Sequence, residues 1–131
     1  MPDTSGLTSL ASRFSAAETL NRFKAALATR GVTLFAEVDH AAGAAAVGLN
    51  LRPTVVLIFG NAKAGTPLMQ ANQRIGIDLP LKALIWEDEN GATQISYNEP
   101  SWVGERHHVA DPALGAMSNL LKALAHEAAQ G

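Results

Sequence analysis

Thr54-Val55-Val56-Leu57-Ile58-Phe59-Gly60 is the stretch that decides the fold of this chain. The six residues before the glycine are apolar or β-branched without interruption, which predicts a strand covered on both faces at the centre of a sheet. The strand runs into Gly60-Asn61-Ala62-Lys63-Ala64-Gly65-Thr66, which we interpret as a loop bracketed by two glycines. Such a loop can present backbone N–H groups and a lysine ammonium to a small anion.

The residues before this strand predict a strand, a helix, a second strand and a short helix. Leu7 to Ala11 alternates weakly, and Ser15 with Glu18 forms a capping box that begins an amphipathic helix closed by Gly31. Val32 to Val38 alternates with the period of a half-buried strand, and the Ala-rich segment His40 to Val47 predicts one or two helical turns. The order is therefore β-α-β-α before the central strand.

The residues after the loop predict a hairpin and two helices. Pro67 to Asn72 predicts a helical turn, and Asn90-Gly91 lies between two alternating runs that should pair antiparallel, Leu81 to Asp88 and Ala92 to Tyr97. Pro100 to His108 predicts a short helix, and Asp111-Pro112 starts a final helix. The apolar stripe of that final helix consists of Leu114, Met117, Leu121 and Leu124.

These elements predict an α+β fold, a two-layer sandwich with helices packed on one face of a mostly antiparallel sheet of about five strands. At 131 residues we expect a single domain over 1–131. If the helices cover one face, a second chain can cover the other, so the sequence favours a homodimer.

The composition narrows the classes of partner. Charged residues make up 17% of the chain and the net charge is -2, so the chain lacks the excess of positive charge that nucleic-acid-binding domains have. The chain has no cysteine, so thiolate chemistry and cysteine-based metal sites are excluded. No basic leader and no apolar run of about 20 residues is present, so we expect a soluble cytoplasmic protein without a membrane partner.

Two interpretations of the glycine-bracketed segment remain open. A P-loop needs lysine directly after its second glycine, where this chain has Thr66, so that motif is excluded. The first interpretation is a site in which Gly60, Asn61, Lys63, Gly65 and Thr66 bind a small anion. The alternative is a structural turn that is capped by Asn61.

His40, Lys82 and His107 are the candidate catalytic residues. His40 follows a strand, where side chains from several segments converge, and a histidine could act as acid or base while a lysine stabilises negative charge. We expect Lys82 to share a strand face with Leu84 and Trp86 and to pair with Asp78 or Glu87. The histidines lack ligand spacing, so we expect no metal and no cofactor. A purely structural interaction module is the remaining alternative.

A set of motifs resembles one known prokaryotic family, the domain of unknown function 302. The motifs are Val38-Asp39-His40, Pro53, Phe59-Gly60-Asn61-x-Lys63-x-Gly65-Thr66-x-Leu68-Met69, Asp78-Leu79-Pro80-Leu81-Lys82, Trp86-Glu87-Asp88, Gly91, Tyr97-Asn98 and Arg106-His107. The resemblance covers about residues 6–110, with a C-terminal helix over about 111–129. It implies a compact two-layer α+β fold that is often dimeric, and it implies no biochemical activity.

This chain departs from the family pattern at two positions. Ala62 and the neighbourhood of Gln73 lack prolines that the family usually has, which predicts a less pre-organised loop. The positions that match the family motif are His40, Gly60, Asn61, Lys63, Gly65, Asp78, Lys82 and His107.

Overall fold

The structure is a computed structural model and describes residues 5–131. Its strands are β1 (Leu7–Ser12), β2 (Thr33–Asp39), β3 (Thr54–Gly60), β4 (Leu81–Glu87) and β5 (Thr93–Asn98). Its helices are α1 (Ala16–Thr29), α2 (His40–Ala46), α3 (Ala62–Ala71), α4 (Pro100–Arg106) and α5 (Pro112–Gln130), with a 3-10 helix at Gln73–Asp78 between α3 and β4.

The five strands form one antiparallel sheet in the order β1-β5-β4-β3-β2. The predicted hairpin is confirmed, since Ile85 pairs with Ile95 and Glu87 with Thr93. The predicted α+β class is likewise confirmed. The expectation that β3 is the central strand was wrong, because β4 occupies the middle position.

The two faces of β3 differ, which corrects the prediction that this strand is covered on both sides. Val55, Leu57 and Phe59 are buried, whereas Val56 and Ile58 on the other face are only half-buried. The apolar run fills both faces, yet the helices α1 and α5 pack only against the first. An uninterrupted run of apolar residues cannot distinguish a covered face from one that is left open.

The main core lies between that covered face and the helices α1 and α5. Phe23 of α1 packs its ring 5.5 Å from the ring of Phe59, and Leu27 is almost fully buried beside it. The predicted stripe of α5 is buried in full, with Leu121 and Leu124 in this core.

The predicted helix ends agree with the structure. Ser15 accepts a hydrogen bond from the Glu18 N–H at 3.1 Å, and Asp111 accepts one from the Ala113 N–H at 2.8 Å. Gly31 follows α1 with a positive φ of 66°, the left-handed conformation that ends many helices.

Strand β2 lies at the edge of the sheet and is exposed at all seven residues, although its alternation predicts a half-buried strand. The strand has a neighbour on one side only, and no buried cluster among the described residues includes any of its side chains. A β-bulge at Phe35 also interrupts the alternation, since Leu34 pairs with Phe59 and Ala36 with Ile58.

A second apolar cluster joins α3, the 3-10 helix, α4 and α5. Its fully buried residues include Leu68 and Ile75, and the buried Met117 of α5 also belongs to it. This cluster packs α3 against the 3-10 helix, which in turn contacts α4. In the part of the chain that the structure describes, no helix has both the length and the apolar character needed to cross a membrane.

Candidate functional site

The segment Gly60–Thr66 is a strand end followed by a helix, which corrects the predicted loop. Gly60 ends β3 with a φ of +152°, and α3 already begins at Ala62, so Gly65 and Thr66 are helical. The helix begins early because the side chain of Asn61 accepts a hydrogen bond from the Ala64 N–H at 2.8 Å. The predicted cap by Asn61 is therefore confirmed, but it caps a helix and not the structural turn of the alternative interpretation, because Gly65 is helical.

A pocket of about 190 Å³ opens beside this strand-to-helix junction. Four parts of the chain surround it: the bulge of β2, the first turns of α3, the segment that leads into β4, and α5. Its apolar side chains come from Phe35, Met69, Leu79, Pro80, Leu81, Met117 and Leu120. A cavity of about 150 Å³ with such a lining can hold a benzene molecule, so this one suits a small apolar group.

Glycines keep this pocket open. Gly60, Gly65 and Gly76 all line it, and a Cβ added at Gly65 would lie 3.8 Å from Met69 Cε and 3.9 Å from Leu79 Cδ1. These are ordinary contact distances, so a side chain at Gly65 would occupy the pocket without a clash at its first carbon. A larger side chain there would fill the space.

The polar groups of the junction lie beside the pocket: Asn61 and Ala62 are among its lining residues, whereas Lys63 is not. Within residues 5–131, the N–H groups of Ala62 and Lys63 have no hydrogen-bond acceptor, whereas those of Ala64 and Gly65 bond to Asn61. Lys63 is exposed and forms no ion pair with any described residue. The junction therefore combines an apolar cavity with two free donors and one unpaired cation.

His40 and Lys82 line a different depression, on the open face of the sheet. This depression has a volume of about 330 Å³, and Val56, Leu84 and Trp86 contribute its apolar side chains. His40 is exposed at the first position of α2, and Lys82 shares its strand face with Leu84 and Trp86 as predicted. The structure thus places two of the three catalytic candidates in one depression.

The third candidate, His107, lies elsewhere and is buried at the end of α4. Its Nε2 atom lies 2.5 Å from Oδ2 of Asp78, and Arg106 Nη1 contacts both oxygens of the same carboxylate at 3.1 and 3.0 Å. The predicted pairing of Lys82 with Asp78 or Glu87 was wrong, since no such ion pair forms among the described residues. The oxygens of Asp78 are instead occupied by Arg106 and His107, because Asp78 lies at the end of the 3-10 helix beside α4.

The apolar walls of the pocket were not predicted from the sequence. Phe35 looked like one member of an alternating strand and Met117 like a core position of the final helix, whereas Met69 and Leu120 were not singled out. The only signal that could have found Phe35 was a break in the alternation of β2. No group of three or more histidine, aspartate or glutamate side chains in residues 5–131 is placed to hold a metal ion.

A family model described as domain of unknown function DUF302 matches residues 8–126, which is most of the chain. The chain belongs to the DUF302 family. The match extends through most of α5, which the motif resemblance had left outside the family region.

A solved structure shares this fold. The crystal structure of an uncharacterized conserved DUF302 protein from Bacillus stearothermophilus superposes with a TM-score of 0.82 at 21% sequence identity. The alignment covers 94% of this chain and 98% of that one, so the two DUF302 proteins have the same fold along nearly their whole lengths.

Two relatives with higher sequence identity are named as ion channels and not as DUF302 proteins. The chain is 46% identical over 116 residues to a protein from Brucella suis that is named fluoride-specific ion channel FluC 1. It is equally similar to a Brucella melitensis protein named fluoride-specific ion channel FluC 2. The alignments cover 86% of this chain but only 46% and 43% of those relatives, so the chain spans less than half of their length.

Proposed function

We propose that this DUF302 chain is a cytoplasmic, homodimeric module that binds a small organic anion with an apolar body at the junction of β3 and α3. The single observation that carries the proposal is the pocket of about 190 Å³ beside Asn61. Its wall is almost entirely apolar, whereas Ala62, which lines it, and the neighbouring Lys63 both have free backbone N–H groups. A ligand that satisfies both parts has an apolar body and an anionic head.

Lys63 supplies the electrostatic part of this proposal. Lys63 is the second residue of α3, and at the N-terminus of a helix the dipole also favours a negative charge. A carboxylate at the rim would meet two backbone donors and one cation. The apolar body would lie against Met69 and Met117, whose flexible thioethers adapt to varied shapes.

Benzoate is a suitable probe because a benzene ring fits a cavity of this size. We expect benzoate to bind in calorimetric titrations. Benzamide should bind much more weakly because it has no negative charge, and acetate because it has no aromatic ring. Lys63→Ala should weaken benzoate binding several-fold because Lys63 lies in the first turn of α3, next to the lining residue Ala62, whereas Lys122→Ala should not, because this exposed lysine lies in the middle of α5. Gly65→Leu should abolish binding, since its side chain fills the pocket.

Two results would contradict the proposal. The first is that benzoate and benzamide bind with equal affinity and that Lys63→Ala binds benzoate as tightly as wild type. This result would show that the protein does not recognise the negative charge of the ligand. The other is unchanged affinity of Gly65→Leu, which would place the ligand outside the pocket. A chain that binds none of the probes at millimolar concentration would favour a structural interaction module instead.

Fluoride belongs in the same titration because of the Brucella relatives. Their names describe fluoride-specific ion channels, and this chain matches less than half of each. A second candidate function is therefore an anion-binding module that serves such a channel. It predicts fluoride binding that Lys63→Ala weakens and Gly65→Leu leaves intact, since a bare ion needs no apolar pocket.

Acid–base chemistry on the open face is the third candidate. The observation that favours it is the position of His40 and Lys82 in one depression above Trp86. His107 would have no part in it, because its Nε2 atom bonds to Asp78. A reaction that survives both His40→Gln and Lys82→Met would exclude this candidate.

The proposal of a homodimer is supported by apolar side chains that are exposed to solvent. Leu49 is 65% exposed and Val47 72% exposed, both in the connection between α2 and β3. With only 17% charged residues, the chain has fewer charges than the average soluble domain. Exposed apolar side chains in a chain of low charge are typical of a surface that a partner covers. Light scattering at micromolar concentration should report twice the chain mass, and a monodisperse monomer would contradict the dimer.

A further inference from the structure

A wide depression of about 600 Å³, which we call the arginine depression, lies beside the 3-10 helix and the end of α4. Its ionisable side chains are all basic: Arg74 comes from the 3-10 helix, and Arg106 and His107 come from the end of α4. No aspartate or glutamate within residues 5–131 lines it. Gly76 contributes both to this lining and to that of the pocket beside Asn61, so the two cavities are neighbours with different polar groups.

Two guanidinium groups of the arginine depression have free N–H donors. Arg74 is exposed and forms no ion pair with any described residue. Arg106 contacts Asp78 through Nη1 alone, so its Nε and Nη2 atoms have no hydrogen-bond acceptor in the described part of the chain. The carboxylate of Asp78 lies outside the lining of the depression and balances only one of the two guanidinium charges. The depression therefore keeps an excess of positive charge.

His107 adds a buried nitrogen that lacks a hydrogen-bond partner. The side chain is 5% exposed, and its Nδ1 atom is buried without a hydrogen bond, whereas Nε2 contacts the Asp78 carboxylate. Because a carboxylate only accepts hydrogen bonds, Nε2 carries the proton of the neutral ring and Nδ1 is left as an acceptor. Buried polar atoms of native proteins are almost always bonded, so an unbonded one on a residue that lines a cavity points to a bound group.

The side chain of Asn72 holds the two walls of the arginine depression together. Its Oδ1 atom accepts a hydrogen bond from the Arg74 N–H at 3.2 Å, and its Nδ2 atom donates to the His107 carbonyl at 2.7 Å. One amide thus joins the start of the 3-10 helix to the end of α4. Arg106 is fixed in turn by Asp78, the last residue of the same 3-10 helix. Groups that are already held in place lose little freedom when they bind a ligand.

We propose that the arginine depression is a second anion site and that it binds a phosphate group, either free or in a small ester. A guanidinium presents its donors in one plane, which matches the oxygens of phosphate, and two guanidiniums suit a dianion. An oxygen that carries a proton, on the phosphate or on a water that it holds, donates to Nδ1 of His107. The volume of the depression leaves room for the rest of an ester. This site does not depend on the function proposed for the pocket beside Asn61.

Calorimetric titrations of the whole chain with inorganic phosphate and with glycerol phosphate, at low salt in a buffer without phosphate, test the site. Arg74→Gln is the main variant, because the Arg74 side chain forms no ion pair with the described residues that its loss would break. Arg52→Gln is the matched control, since Arg52 is also exposed but precedes β3 and is absent from the lining. Gly65→Leu fills the pocket beside Asn61 and leaves the arginine depression unchanged. Circular dichroism of each variant verifies that it is folded.

We expect Arg74→Gln to weaken phosphate binding roughly tenfold, as the loss of a hydrogen bond to a charged group does. Arg52→Gln and Gly65→Leu should bind phosphate as wild type does, and Arg74→Gln should bind benzoate as wild type does. Tighter binding of glycerol phosphate than of inorganic phosphate would identify an ester as the ligand, and the reverse order would identify the free ion.

NMR of the histidine rings gives a second readout that needs no substitution. The Nδ1 signal of His107 should shift with the dissociation constant that calorimetry gives, while the exposed His126 should not respond. Equal phosphate affinities of Arg74→Gln and Arg52→Gln, or no binding of either phosphate at millimolar concentration, would overturn the site. Loss of phosphate binding in Gly65→Leu would place the phosphate in the other pocket. An unchanged His107 signal at saturation would overturn the part assigned to that ring.

Discussion

The Oδ2 atom of Asp78 lies 2.5 Å from Nε2 of His107, a pair 29 residues apart in sequence. The contact joins the end of the 3-10 helix to the end of α4, and both side chains are largely buried. Asn72 strengthens the junction by donating from its side chain to the His107 carbonyl at 2.7 Å. These bonds fix the segment that leads into β4 and hence one wall of the pocket beside Asn61.

Asp78→Ala should lower the free energy of unfolding by about 1 to 3 kcal/mol, because it leaves the buried ring of His107 without its partner. Arg106→Ala should cost less than about 1 kcal/mol, since that side chain is half exposed and its ion pair is screened by water. Urea unfolding of the two variants measures the difference. A larger loss in Arg106→Ala than in Asp78→Ala would refute this ranking.

Asn61→Ala should destabilise the protein by about 1 kcal/mol, because the Ala64 N–H loses its capping acceptor. Asn61→Asp should retain most of that stability while it places a negative charge beside the proposed anion site. We therefore expect Asn61→Asp to unfold near the wild-type urea concentration but to bind benzoate more weakly. Equal benzoate affinity in Asn61→Asp and wild type would argue against an anionic head at this junction.

Gly65→Ala should stabilise the protein by up to about 1 kcal/mol, because alanine is the better helix former and its Cβ meets only ordinary contacts. Gly104→Ala is the contrasting variant, since its Cβ would lie 2.5 Å from Leu114 Cδ1 and 2.8 Å from the Val109 carbonyl oxygen. We expect the first variant to melt above wild type and the second below it. The opposite order in thermal unfolding would show that the packing of α3 or α4 differs from this description.

Local signals in the sequence predicted most of the elements of this DUF302 domain. The helix caps at Ser15 and Asp111 and the turn at Asn90-Gly91 depend only on contacts between residues that are close in sequence. They can therefore be predicted without knowledge of the tertiary structure. The position of β3 in the sheet was not readable, because strand order depends on which strands pair over long distances. The exposure of β2 escaped prediction for the same reason.

The candidate site was only partly predictable. Asn61 and Lys63 stand out in the sequence because polar residues follow an apolar strand there. The pocket wall did not stand out, since Phe35 and Met117 come from segments 82 positions apart and meet only in the folded chain. His107 and Asp78 were both noticed, yet their contact depends on how α4 packs against the 3-10 helix.

The turn of the β4–β5 hairpin predicts a pH effect. Asp88 accepts backbone hydrogen bonds from Ala92 and Asn90 and a side-chain bond from Gln94, and these bonds, led by that from Ala92, hold the pKa of its carboxyl below the usual value of 3.8. A depressed pKa in the folded state contributes stability above the unfolded pKa, and this contribution is lost as the pH falls through the folded pKa.

Asp88→Asn removes that titration. We expect its urea midpoint to change less than that of wild type as the pH is lowered from about 5 toward 2. In wild type the Asp88 carboxyl takes up a proton at a higher pH in the unfolded state than in the folded state, so acid favours unfolding. Parallel pH profiles of the two proteins would mean that the turn bonds of Asp88 contribute nothing to acid stability.

The most direct test of the central claim is NMR of methionine methyl groups during a benzoate titration. Met69 and Met117 both line the pocket, and Met1 is the only other methionine in the chain. We expect the methyl signals of Met69 and Met117 to shift together with one dissociation constant and to show contacts to the benzoate ring, while Gly65→Leu abolishes both shifts. Unchanged Met69 and Met117 signals at millimolar benzoate would contradict the proposed binding site.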